Sequence, residues 1–370
     1  MFDAITLEGL RGVGRVELKF QPGSRVRTLF GANGVGKTKC LEAIYQWLLL
    51  TQKWATEPAR SIKAKHIVVQ AIRVDGVMRF ERPEASLAFK GLAGEPHDVP
   101  VVLLGARGRS DLEVAQDAQR TLGAFGQRRK NYLDQAVNLI NQGGLACAGM
   151  SANVRNWFVL RAQSVNPYQK QEDNRRVEID TVLQMLHEVD ERIDAHFLQI
   201  DGAGRVFLKV EGQERALDEL SSGFASLLKL VQAIVAAYAS FTNEPNLRHV
   251  PGVVLIDEIE SHLHASWQAR IIPALKRLLP NTTFYIATHS PLVLSQLQEG
   301  EAYLLQRDAD GVVRTQLIDS PNRRAFVDVL DDTLGVDLNA LKHQAMPGSD
   351  QTLAKQRLRE LLTHSPGGQI

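Results

Sequence analysis

Residues 31–38 read Gly-Ala-Asn-Gly-Val-Gly-Lys-Thr, a glycine-rich loop that ends in an amine and a hydroxyl. Glycines let a backbone wrap an anion and turn its N–H groups inward. A helix starting at Lys37 would add the positive end of its dipole. In such a loop Lys37 reaches the β- and γ-phosphates of a nucleoside triphosphate, and Thr38 offers its hydroxyl to Mg²⁺. Asn33, Gly34, Val35, Gly36, Lys37, Thr38 and Lys39 are the candidate nucleotide contacts. A phosphate loop also needs an acid for the metal. Val253-Val254-Leu255-Ile256 reads as a buried strand and ends in Asp257-Glu258. Two carboxylates at the end of a core strand are costly unless something cationic waits there. Asp257, with Thr38, is the candidate Mg²⁺ ligand, and Glu258 the group that polarises the attacking water.

Two further motifs separate classes of ATPase. Leu220-Ser221-Ser222-Gly223 opens a long apolar helix about 30 residues before Asp257, and Ala287-Thr288-His289-Ser290-Pro291 closes a strand about 30 residues after it. The first resembles the signature of ABC-type ATPases, with LSSG in place of LSGGQ. The second is similar to their switch histidine. Taken in order, the phosphate loop, LSSGFASLL, LIDEIESHLH and ATHSP resemble the stand-alone bacterial ABC-type AAA ATPases related to RecF, OLD and the Septu-type defence ATPases, above all the group called "predicted ATP-binding protein involved in virulence". The likeness is good over 1–50 and 200–310 and loose between, where Arg107, Arg109 and Asn156-Trp157-Phe158 carry it. It implies an ABC/SMC-type head without a long coiled coil, and ATP sandwiched between two copies. Lys37, Glu258 and His289 would then be catalytic, with Ser221, Ser222 and Gly223 of the facing copy gripping the γ-phosphate. Two positions depart from the pattern. Ala265 stands where a proline usually follows His264, and Arg107 and Arg109 occupy the place of the glutamine that ties the metal to the helical lobe.

These motifs need a scaffold. Short strands are predicted at Ile5–Glu8, Arg15–Phe20 and Val26–Phe30, a helix at Lys37–Leu50, a hairpin (Ile67–Val74, Val77–Glu81) around Asp75-Gly76, and a buried strand at Val101–Leu104. Helical stretches follow around 111–121, 129–142, 152–163 and 177–196. Strands return at Val206–Val210 and Gln213–Leu217, then a helix at Gly223–Phe241, the acid strand, a helix at Ala265–Leu279, a strand at Thr283–Ala287, a helix at Pro291–Glu299 and a hairpin (Tyr303–Gln306, Val312–Leu317). A helical stretch at 323–362 closes the chain. The expected fold is α/β: a P-loop NTPase head with a mixed sheet and an inserted helical lobe. Its parts would be 1–104 and 201–320 for the head, 105–200 for the insertion and 321–370 for a C-terminal helical extension.

Composition fits this reading. Of 370 residues 44% are hydrophobic and 23% charged, enough for a large core and too apolar for a disordered chain. Lys+Arg (43) balances Asp+Glu (42), so no bulk charge marks a nucleic-acid coat. Cys40 and Cys147 cannot build a disulfide framework or a four-thiolate zinc site. With no basic-then-apolar leader and no long apolar run, the expectation is a cytoplasmic protein that engages no membrane. Competing readings are a zinc site at His262, His264 and His289, a nuclease acid pair at Asp308 and Asp310, and a nucleic-acid patch at Arg128-Arg129-Lys130 or Trp157-Phe158. Solvated or core roles suit these better. No Asn-Lys-x-Asp run reads guanine, and the odd signature and long insertion fit a transporter subunit poorly. The combined expectation is an Mg²⁺-dependent ATPase that works as a homodimer or higher homo-oligomer. It would drive or sense an effector protein, or DNA or RNA, in antiviral defence. The alternative is an ATP-gated scaffold that holds a nuclease or toxin with little turnover.

Overall fold

A computed structural model describes residues 2–56, 61–82, 86–88, 96–112, 121–150 and 152–323. The chain divides into two units, Met1–Arg324 and Ala325–Ile370, and the described residues all belong to the first. The expected helical extension beyond 323, and most of the helix expected around 111–121, lie outside the described residues.

The chain opens with β1 (Ala4–Leu10), β2 (Gly14–Lys19) and β3 (Val26–Phe30), then α1 (Lys37–Leu50). Next come β4 (Ser61–Lys63), β5 (Ala71–Val74), β6 (Val77–Glu81), β7 (Ser86–Ala88) and β8 (Val101–Leu104). Three helices follow: α2 (Phe125–Asn141), α3 (Val154–Gln163) and α4 (Arg176–Val189). A small sheet of β9 (Ile193–Ile200), β10 (Val206–Val210) and β11 (Gln213–Ala216) leads to α5 (Ser222–Phe241). The remainder is β12 (Gly252–Ile256), α6 (Ala265–Gln268), α7 (Ile271–Leu278), β13 (Thr282–Ala287), α8 (Pro291–Leu294), β14 (Ala302–Arg307) and β15 (Val313–Leu317).

Ten strands form one mixed sheet in the order β6-β5-β1-β2-β15-β14-β3-β13-β12-β8. β3, β13, β12 and β8 run parallel in close register, with Leu29 beside Ala287, and Ile256 beside both Ile286 and Leu104. Their C-terminal ends therefore finish side by side, where ligands of open α/β sheets bind. β3 and β8 are buried along their whole length, as the apolar runs of a central parallel sheet must be. α1 was expected to bury one face, carrying Leu41, Ile44, Tyr45 and Leu48. It is buried nearly all round, because it packs on β1, β8, β12 and β13 while Gln46 bonds to His66 and Val68 of the segment after β4. α5 is apolar and long enough to span a membrane by composition, but 89% of its apolar window is buried within the protein.

Several boundaries differ from expectation. The helix expected over 177–196 stops at Val189. Asp190 is extended, and its carboxylate takes hydrogen bonds from Arg192 (2.7 and 2.9 Å) and the Trp267 indole (3.1 Å). Residues 193–200 instead pair with β10, so the helical insertion ends before the expected 200. The Ala265–Leu279 helix is broken in two. Pro273 cannot accept the preceding turn without clashing with the carbonyl four residues back, and it falls in the first turn of a new helix. The helix from Pro291 covers four residues rather than reaching Glu299. The strand expected from Ile67 begins only at Ala71, since buried Gln46 occupies the preceding backbone, accepting from Val68 N (3.0 Å) and donating to His66 O (2.9 Å).

Candidate functional site

The loop after β3 is shaped by its glycines. Gly31, Gly34 and Gly36 have φ of 144°, 80° and 114°. A Cβ on Gly31 would lie 2.7 Å from the Leu305 carbonyl oxygen, and one on Gly36 2.9 Å from the Val13 methyls. α1 then starts with no side-chain cap, which leaves its first N–H groups for an anion. Asn33 and Gly34 are exposed at the tip, and Val35 packs on the core. The Lys37 ammonium donates to the carbonyls of Gly31 (2.7 Å) and Ala32 (2.9 Å). Burial pushes its pKa down to about 8, against the pull of Asp257, Glu260 and Glu258. Lys39 pairs with Glu42 at 2.5 Å.

The acid strand ends beside this loop. The Thr38 hydroxyl is 3.0 Å from each Asp257 carboxylate oxygen, joining chain positions 219 residues apart. Burial raises Asp257 to about 6; the Thr38 hydrogen bond opposes this and the neighbouring Glu258 charge adds to it. Glu258 is exposed and has φ 47°, the left-handed region. Arg109 holds this turn from behind. Its guanidinium is wholly buried and donates to the carbonyls of Gly105 (3.0 Å), Glu258 (2.7 Å) and Asp257. The residue stands after β8, where the resemblance would put a glutamine, but it faces the backbone of the acid turn. Arg107 is exposed.

His289 follows β13, half-buried, with Gly31 and Lys37 beside its ring. Burial and the Lys37 charge hold its pKa below the usual value. Glu260 fixes its backbone: one carboxylate oxygen accepts from His289 N (2.6 Å), the other from the Thr288 hydroxyl (2.7 Å). Glu260 lies inside the LIDEIESHLH motif, where spacing alone does not mark it as functional.

The signature residues open α5, against the segment that follows the acid pair. Ser221 caps α5, accepting from Phe224 N at 3.3 Å, while Ser222 is exposed. Gly223 is packed so closely that a Cβ would come within 3.0 Å of the His262 carbonyl oxygen and 3.3 Å of the Trp267 ring. The Ser226 hydroxyl donates to Ser261 O at 3.1 Å. Among the described residues, no hydrogen bond joins Ser221, Ser222 or Gly223 to the phosphate loop. α5 also reaches the acid turn by a second route. Lys229, wholly buried, donates to the carbonyls of Gly108 (2.9 Å) and Asp111, bracing the loop that carries Arg109. A lone lysine in the run LLKLVQAIVAA was the available signal.

The competing candidates have structural tasks. His264 caps α6, its ring accepting from Ser266 N at 3.3 Å. Asp308 and Asp310 both pair with Arg314, at 2.6 and 2.8 Å. Arg128 is buried and bonded to Gly123 O (3.0 Å) and Asn243 (2.6 Å), and Arg129 stacks over Trp54. Trp157 and Phe158 pack edge to face in the helical lobe.

The chain is similar to several known proteins. The family model described as "AAA domain, putative AbiEii toxin, Type IV TA system" matches residues 108–295. The Septu protein PtuA of Bacillus thuringiensis is 22% identical over 351 residues, 90% of this chain and 84% of that protein. The retron Ec83 probable ATPase of Escherichia coli is 38% identical over 89 residues, 24% of this chain and 16% of that protein. The chain thus spans most of the first relative and a small part of the second. Among solved structures, an SMC head bound to the C-winged helix domain of ScpA aligns over 86% of this chain and 98% of its own, with 13% identity and a TM-score of 0.47.

Proposed function

The chain belongs to the AAA-domain family described as putative AbiEii toxin, Type IV TA system, and on that premise we propose that it is an ATPase that binds and hydrolyses ATP with Mg²⁺ between two copies of itself. The observation that carries this reading is the Thr38–Asp257 contact, which brings the phosphate loop and the acid strand to one point. A hydroxyl and a carboxylate are the hard oxygen donors Mg²⁺ takes, and the buried Asp257, with its raised pKa, is an acid in want of a cation. Thr38 and Asp257 would hold the ion, which when bound offsets charge on the phosphate oxygens. Lys37 and the loop N–H groups would hold the β- and γ-phosphates. Glu258, exposed at the strand end, would take the proton of the attacking water. His289 would read the γ-phosphate beside Gly31.

Ser221, Ser222 and Gly223 would complete the pocket of a facing copy, so that ATP joins two heads and hydrolysis releases them. The relatives are a Septu protein and a retron probable ATPase, which supports a role in antiphage defence; on this reading the chain works in the cytoplasm, away from membranes, with a separate effector protein, DNA or RNA as the driven or sensed partner.

The test is Glu258→Gln in the purified protein. Phosphate release should fall by about 100-fold or more, with ATP affinity retained, the range seen when a general base is removed. Turnover near the wild-type rate would remove Glu258 from its role. Wild-type turnover near zero, with tight ATP-dependent assembly, would favour the scaffold reading instead.

A further inference from the structure

A cavity of about 520 Å³ opens between α1, β8 and the helices α2, α3 and α5. It touches neither the phosphate loop nor the acid turn. That volume is in the range of small-molecule pockets, roughly 300–1,000 Å³. Ten buried side-chain polar atoms lack a partner among the described residues, and four of them belong to residues that line this one cavity: both amide atoms of Gln232, the Trp157 indole nitrogen and Arg128 Nε. Gln232 is wholly buried on α5, three residues after Lys229. Buried polar groups left unmatched are rare because each forfeits its bonds to water. Such a concentration calls for a polar occupant.

The walls say what kind. Tyr45 and Tyr132 offer aromatic surface, Arg128 adds a guanidinium whose Nε is unmatched, and the Trp157 ring lies under Arg161 (4.3 Å), which is itself paired with Glu178 (2.7 Å); no carboxylate is among the described lining residues. The orphan atoms are three donors and one acceptor. The complement is a flat, acceptor-rich ring that also carries a donor, with room for negative charge. We propose that this cavity binds a nucleobase-bearing small molecule, a nucleoside or its monophosphate, at a second site independent of the phosphate loop. Its walls include Tyr45 of α1, which begins at Lys37, and Gln232 of α5, which begins at the signature serine. Occupancy would stiffen the two elements that present Lys37 and Ser222.

The test titrates adenosine, guanosine, cytidine and uridine, and their 5′-monophosphates, into the full chain carrying Lys37→Ala. This disables the phosphate loop, so the result does not depend on how ATP is used there. Calorimetry should find at least one of them bound one to one, with a matching change in tryptophan fluorescence. Adding Gln232→Leu should weaken that binding at least tenfold while leaving the thermal midpoint no lower, since it removes an unmatched amide. Ala236→Leu, which fills the cavity from the same helix, should weaken it as well and serves if the first variant fails to fold. The inference is overturned if none of these compounds binds at millimolar concentration, if binding survives both substitutions, or if it appears only when Lys37 is present. It also falls if a high-resolution structure grown with the compounds holds ordered water alone in the cavity.

Discussion

Glu258 is the exposed carboxylate of the site and also its strained residue. A side chain at φ 47° costs on the order of 1 kcal/mol, a price that glycine does not pay. The turn keeps this shape because Arg109 holds the carbonyls of Asp257 and Glu258 while Glu260 ties the next step of the chain to Thr288 and His289. Glu258→Gly should therefore stabilise the nucleotide-free protein by about 1 kcal/mol in urea denaturation, while phosphate release disappears. An unchanged or lower stability would mean the left-handed turn is not strained. Arg109 is the reverse case. Its loss leaves three carbonyls and a group of carboxylates without their cation. Arg109→Met should cost about 3 kcal/mol of stability, and Arg109→Lys should restore only part of it, because an ammonium lacks the planar fork. Full rescue by lysine in the same denaturation assay would show that charge alone suffices there.

At the scale of elements, α5 is joined to the acid turn twice, through Ser226 on Ser261 and through Lys229 on the loop that carries Arg109. The Lys229 contact has a pH signature. Burial brings the amine from its ordinary 10.5 down to about 8. Below about 8 it is charged in both folded and unfolded chains, and the cost of burying the charge is fully present. Between about 8 and 10.5 the unfolded chain holds the proton that the fold has lost. Raising the pH across that window should recover stability on the order of 3 kcal/mol. Lys37 moves in the same direction, so the readout is a difference: stability should rise less steeply from pH 8 to pH 10 in Lys229→Met than in the wild type. Parallel curves would leave Lys229 without this role. Such ties are also where sequence reading stops. β3, α1 and β8 were legible to the residue, because apolar runs and glycines record local geometry. The phosphate loop, the acid pair and the histidine of ATHSP stand out in the sequence because each follows an apolar strand, whereas LSSG opens a helix. The β9 strand was not, since its opening Ile-Asp-Ala-His suits a helix as well, and its pairing with β10 decides. Arg109 and Lys229 find their carbonyl partners 149 and 121 residues away in the chain, which no local pattern records.

At the scale of the molecule, the central sheet delivers Lys37, Thr38, Asp257, Glu258 and His289 to one edge, while Ser222 stands exposed on α5 without a bond to that cluster. A half-pocket and a separate signature surface on one chain is the arrangement that two-fold pairing turns into two composite sites. The consequence can be tested by mixing. Lys37→Ala spoils the phosphate loop and leaves the signature surface whole. Ser222→Arg does the opposite, since a long cation cannot fit where a serine meets a phosphate across an interface. Each variant alone should be inactive, because every site of its homodimer contains a defect. Mixed in equal amounts, half the dimers would be hybrids with one sound site of two, so phosphate release should return to about a quarter of the wild-type rate. The recovered rate should also fall faster than linearly on dilution, as association becomes limiting. If the mixture stays as inactive as its parts while each variant still forms dimers with ATP, the two surfaces do not meet across a dimer. If Ser222→Arg alone hydrolyses ATP at the wild-type rate, the pocket is complete within one chain.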